Sequence, residues 1–87
     1  MNARALVARN LRRLRVRRGL SQEALAVDAE IDRTYVSRLE RGLENPTVAV
    51  LERLAAAVDA AIVEFFAVPR RGEPPPKPLR GGRHPKR

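Results

Sequence analysis

An all-α domain of five helices over residues 1–68, followed by a disordered, basic, proline-rich tail over 69–87, is the fold that the sequence predicts. Three observations carry this reading. Apolar residues recur at helical spacing in successive short segments; no segment alternates with the two-residue period of a strand; and six of the seven prolines lie beyond residue 68. A chain of 87 residues makes one domain at most, with a modest core.

The first helix is predicted over residues 3–18. Val7, Leu11 and Leu14 recur at i, i+4 and i+7, with Ala3 one turn earlier, and arginines fill much of the remaining circumference. Gly19 ends it, with basic residues favourably placed in the last turn. Ser21 can cap a second helix through its hydroxyl, Glu23 suits the positive end of that helix, and Leu25 and Ala26 form its apolar stripe. Asp32 caps a third helix, in which Val36 and Leu39 face inward and Gly42 is the stop. Subtracting that inner face leaves Arg33, Thr34, Ser37, Arg38 and Arg41 outward, a polar and mostly cationic surface able to read nucleic acid. Residues 43–46 form a loop, because Asn45 precedes Pro46. Thr47 caps a fourth helix carrying Val48, Leu51, Leu54, Ala55 and Val58, which ends at Asp59 in a left-handed turn. Residues 61–67 read as a short fifth helix bearing Ile62, Phe65 and Phe66. Beyond Pro69 almost nothing is apolar, so burial cannot offset the entropy of ordering. Pro74, Pro75, Pro76 and Pro78 favour polyproline II and a stiff spacer.

Composition narrows the chemistry. The chain has no cysteine and a single histidine, His84, so neither a disulfide nor a zinc site is expected, and no cofactor is called for. No apolar run approaches the roughly 20 residues needed to span a bilayer, so the default is a cytoplasmic protein associated with the nucleoid. Charge is unevenly spread. Residues 1–22 hold seven arginines and no acid; residues 23–68 hold four arginines against nine acids; residues 69–87 hold seven Lys/Arg against Glu73. Basic ends around an acidic-leaning middle point to a polyanion partner, most economically nucleic acid. The segment Arg80-Gly81-Gly82-Arg83 matches no specific motif and reads as non-specific attraction to phosphate.

Three motifs then occur in order: Gly19-Leu20-Ser21-Gln22-Glu23-x-Leu25-Ala26, Tyr35-Val36-Ser37-Arg38-Leu39-Glu40-Arg41-Gly42, and Asn45-Pro46-Thr47. Together they resemble the Cro/C1-type, or XRE, helix-turn-helix family of phage-repressor-like proteins, over roughly residues 6–66. The resemblance implies a lambda-repressor-like five-helix domain whose helix-turn-helix covers about residues 21–41 and whose third helix enters the major groove of double-stranded DNA. It implies base reading by Arg33, Thr34 and Arg38, with Ser37 beside them. An arginine there can donate two parallel hydrogen bonds to guanine, worth about 1–3 kcal/mol of discrimination. Phosphate contacts fall to Ser21 and Gln22 at the start of the second helix, Gln22 also buttressing the reading helix, and to Arg41 and Asn45 after the third. Arg15 and Glu40 match a structural ion pair joining the first and third helices, and losing one partner would cost a few kcal/mol. Tyr35 reads as packing rather than DNA contact. Glu30 and Asp59 stand where the family commonly has glycine, and a left-handed Glu30 costs about 1 kcal/mol. Ala61 replaces a usual serine cap, which weakens the fifth helix by about 1 kcal/mol.

The expected function is a sequence-specific transcriptional regulator, a repressor binding a pseudo-palindromic operator as a homodimer. Ile62, Phe65 and Phe66 are the candidate dimer surface, one of the two phenylalanines being needed for the core. Two alternatives belong to other classes: an antitoxin that binds a toxin partner through its tail, and an architectural protein that binds DNA without sequence preference. The tail's poverty in apolar residues argues against the first, and the variety of side chains on the third helix against the second. An enzyme is the least expected reading, since no acid pair or nucleophile–base set is evident.

Overall fold

A computed structural model of the chain describes residues 1–70, 72 and 74–76. Four α-helices, α1 (Ala3–Arg17), α2 (Gln22–Ala29), α3 (Arg33–Glu40) and α4 (Val48–Ala57), precede a 3₁₀ helix (Ile62–Phe66). The described residues contain no strand, and no helix among them is long and apolar enough to cross a membrane.

Each α-helix begins where a short polar side chain can accept a hydrogen bond from its first turn. Asn2 Oδ1 accepts from the Ala5 amide at 2.8 Å, Ser21 Oγ from Ala24 at 2.9 Å, Asp32 Oδ2 from Thr34 at 2.9 Å, and Thr47 Oγ1 from Val50 at 3.1 Å. The fifth segment starts at Ala61, which supplies no side-chain cap. The five-helix expectation is therefore corrected to four α-helices and one 3₁₀ turn. With no cap, and with Ile62, Val63, Phe65 and Phe66 crowding one turn, an α-helix has little intrinsic support there.

One core joins all five elements. Leu11 and Leu14 of α1, Leu25 of α2, Val36 of α3, Leu54 of α4 and Phe65 of the 3₁₀ helix are each fully buried. In the packing, α3 rests on α1 and α2, α2 also meets α4, and the 3₁₀ helix lies on α1 and α4. The inner face of α3 is thus held by two helices.

The predicted disordered tail falls largely on residues 71, 73 and 77–87, which lie outside the described residues. Within the described part, Arg9 Nη2 donates to the Pro74 carbonyl at 3.0 Å. Pro76 lines a groove of about 280 Å³ together with Arg9 and Arg12 of α1 and with Arg41 and Gly42.

Candidate nucleic-acid interface

Helix α3 presents the outward face expected of it. Val36 and Leu39 are buried, Arg33, Thr34 and Arg38 are exposed, and Ser37 is half-buried. Arg41, the C-cap residue, is also exposed, and the chain reverses through Gly42 at φ +74°. Three cations and two hydroxyls therefore share one solvent-facing side of a helix whose other side is locked into the core. Such a face can donate to base edges and to phosphate.

What holds α3 in place is centred on Glu40, which is 7% exposed. Arg15 Nε donates to Glu40 Oε2 at 2.6 Å, and Arg15 Nη2 to Oε1 at 3.0 Å, a two-pronged pair between α1 and α3. Arg15 Nη1 donates to the Leu20 carbonyl at 2.8 Å, tying in the turn before α2. Gln22 Nε2 donates to Glu40 Oε1 at 3.1 Å, and the Arg12 guanidinium approaches the same oxygen at 3.5 Å. The expected Arg15–Glu40 contact is thus one part of a larger knot in which α1, α2 and α3 share one carboxylate. Burying that charge is tolerable because cationic donors surround it.

The positions assigned to phosphate are in varied states. Ser21 is half-buried and its oxygen accepts the α2 cap bond, leaving its hydroxyl proton to point elsewhere. Gln22 is half-buried, with part of its amide engaged by Glu40. Asn45 is exposed in the loop before α4. Among the readers, Arg38 carries a contact that was not anticipated: its Nε donates to Glu44 Oε2 at 2.7 Å. Tyr35 is half-buried against the core, and its phenol pKa is raised above 10.0, first by burial and then by the nearby Glu44 carboxylate.

Asn10 is the other residue that the sequence reading missed. It is fully buried on α1, and its Nδ2 donates to the Phe65 and Ala67 carbonyls, both at 2.9 Å, while Oδ1 accepts from Arg13 Nε at 3.1 Å. Its amide therefore substitutes for regular hydrogen bonding at the end of the 3₁₀ helix. The available signal was its place on the apolar stripe, three residues after Val7 and one before Leu11. On the candidate dimer surface, Phe65 is 0% exposed and belongs to the protomer's own core. Ile62 is half-buried, whereas Phe66 is 44% and Val63 67% exposed. Phe65 is thus a core residue, and Val63 and Phe66 are the large apolar side chains that this 3₁₀ helix exposes.

A family model described as a helix-turn-helix domain matches residues 6–65. A hypothetical transcription factor from Neisseria meningitidis is 42% identical over 67 residues, which cover 77% of this chain and 63% of that protein. The uncharacterized HTH-type transcriptional regulator y4dJ from Sinorhizobium fredii is 44% identical over 65 residues, 75% of this chain and 84% of that one. The restriction-modification controller protein C.Esp1396I, solved as a tetramer with its natural 35 base-pair operator, is 32% identical with a TM-score of 0.69, over 76% of this chain and 87% of that one. On the match of family model, relatives and fold, the chain belongs to the Cro/C1-type, or XRE, helix-turn-helix family of DNA-binding transcription regulators.

Proposed function

We propose that this chain regulates transcription by binding a specific, pseudo-palindromic operator as a homodimer, repressing by occlusion of the promoter. The observation that carries the reading is the outward face of α3, where Arg33, Thr34 and Arg38 are exposed on a helix braced through Glu40. In this reading those three, with Ser37 beside them, meet base edges in the major groove. Ser21, Gln22, Arg41 and Asn45 contact phosphate and set the register. Phe66, Val63 and Ile62 are the apolar residues through which two copies meet. The operator-bound tetramer of C.Esp1396I supports binding as an oligomer. A homodimer of this chain would read half-sites about one helical turn apart.

Selection of bound sequences from random DNA tests this. The wild-type chain should enrich a two-fold symmetric site, and Arg38→Ala should relax preference at one base position in each half-site. If affinity instead collapsed equally for all sequences as salt rose, the chain would be a non-specific binder and the assignment of readers would fall.

A further inference from the structure

Arg38 and Glu44 form an ion pair on the face assigned to DNA, between two side chains that retain 45% and 28% of their surface to solvent. The pair does not belong to the buried knot around Glu40. Its geometry is one-sided: Nε of Arg38 donates to Oε2 of Glu44 at 2.7 Å. Among the described residues, no hydrogen bond engages either terminal nitrogen of that guanidinium. The carboxylate itself is held by a short, stiff loop. The Leu43 amide donates to the Arg38 carbonyl at 3.0 Å, so Glu44 follows directly on the turn that closes α3. Asn45-Pro46 then restricts the chain on the other side.

We infer that Glu44 is a positioning and specificity-determining residue that holds Arg38 by its Nε, so that the two terminal nitrogens are presented as a fork to a guanine edge. The inference rests on the proposed role of Arg38 as a base reader. Two physical consequences follow from the contact. An arginine side chain loses conformational freedom when fixed, and the pair with Glu44 removes part of that freedom before DNA arrives. A guanidinium already paired also gains less by swinging onto a neighbouring phosphate, so contact with non-cognate DNA is weakened relative to contact with guanine. The carboxylate, being negative, lowers attraction to the backbone in general. Glu44 therefore raises discrimination rather than affinity.

Random-sequence selection, read together with binding to one chosen operator and to unrelated DNA, separates the possibilities. Glu44→Ala should lower guanine preference at the position read by Arg38 about three- to tenfold, since one exposed ion pair fixes only part of an arginine side chain's freedom. Other positions of the site should keep their preference, and affinity for unrelated DNA should stay level or rise. Glu44→Gln, which keeps a neutral acceptor of the same shape, should lie between Glu44→Ala and the wild type. In an Arg38→Ala background, Glu44→Ala should change base preference no further, a result that a merely structural role would not produce. The inference is overturned if Glu44→Ala leaves the Arg38 position unchanged or weakens every sequence alike. It is also overturned if the two substitutions act independently. Should Arg38→Ala relax no base position, the base-reader assignment fails as well, whereas an intact Arg38 effect with a silent Glu44 removes the present inference alone.

Discussion

Glu40 is one carboxylate serving three helices, which makes it the residue whose loss should be felt most. Its side chain is wholly buried against Arg15, Gln22 and Arg12. Glu40→Ala would leave the Arg15 guanidinium buried without its counter-charge, and removing one partner of such a pair typically costs about 3–5 kcal/mol. In a small domain of marginal stability, that is a large share of the total. Urea denaturation should show the midpoint fall accordingly, whereas a change below about 1 kcal/mol would mean that water reaches the site. Tyr35 offers a second residue-scale measurement, because it is the only tyrosine and the chain has no tryptophan. Burial and then Glu44 raise its pKa, so the folded state holds the phenolic proton more firmly than the unfolded state does. Stability should therefore be unaffected by this group below pH 10.0, and be lost as pH rises through the higher folded pKa. Absorbance titration should place the folded midpoint above 10.0, and Glu44→Gln should bring it partway back. A midpoint unmoved by Glu44→Gln would show that the carboxylate does not act on the phenol.

At the scale of elements, all four α-helices end in the same way. The chain turns left-handed at Gly19, Glu30, Gly42 and Asp59. The next amide reaches back five residues in each case: Leu20 to Arg15, Ile31 to Ala26, Leu43 to Arg38, and Ala60 to Ala55, at 2.9–3.1 Å. This is the Schellman closure, and glycine suits its left-handed position best. Glu30 sits there at φ +60° with a Cβ that glycine would lack, so Glu30→Gly should stabilise the domain by about 1 kcal/mol, raising the thermal midpoint by several degrees. Asp59→Gly should do less, since a short acidic side chain tolerates the conformation better. A loss of stability in Glu30→Gly would point to a native contact of the Glu30 side chain. Helix starts and stops were legible in the sequence because caps and left-handed residues act within a few positions of themselves. Ser21, Asp32 and Thr47 accept the bonds expected of them, and Glu30 and Asp59 adopt the conformation expected. What escaped were contacts that only the packing creates. Asn10 meets the Phe65 carbonyl across 55 residues with no local signature, whereas the bond from Gln22 to Glu40 on α3 is the buttress that the family resemblance implied. The 3₁₀ form of the last element was half-legible: the missing cap at Ala61 was visible, but its consequence depended on how Asn10 and the core hold the turn.

For the whole molecule, charge and structure divide the labour of binding DNA. Apart from Ser21 and Gln22, the helix-turn-helix lies within residues 23–68, where nine acids outnumber four arginines, so in the proposed reading its face selects a sequence more than it attracts the backbone. In the proposed reading the cationic pull comes mainly from α1 and from the tail, whose seven Lys/Arg are opposed by Glu73 alone. The Arg9 bond to the Pro74 carbonyl brings Pro74 back against α1. Ending the chain after residue 68 should leave the core intact, because every fully buried apolar side chain among the described residues precedes that point. It should reduce affinity for operator and unrelated DNA by a similar factor and leave the selected sequence unchanged, since phosphate contacts carry no base information. The decisive quantity is the slope of log affinity against log salt. Each tail cation that meets a phosphate contributes about 0.9 to that slope, so the shortened chain should show a shallower dependence by several tenths to a few units. An unchanged slope with unchanged affinity would mean that the tail never reaches the duplex. A changed consensus would mean that it reads bases, and that selectivity is not confined to α3.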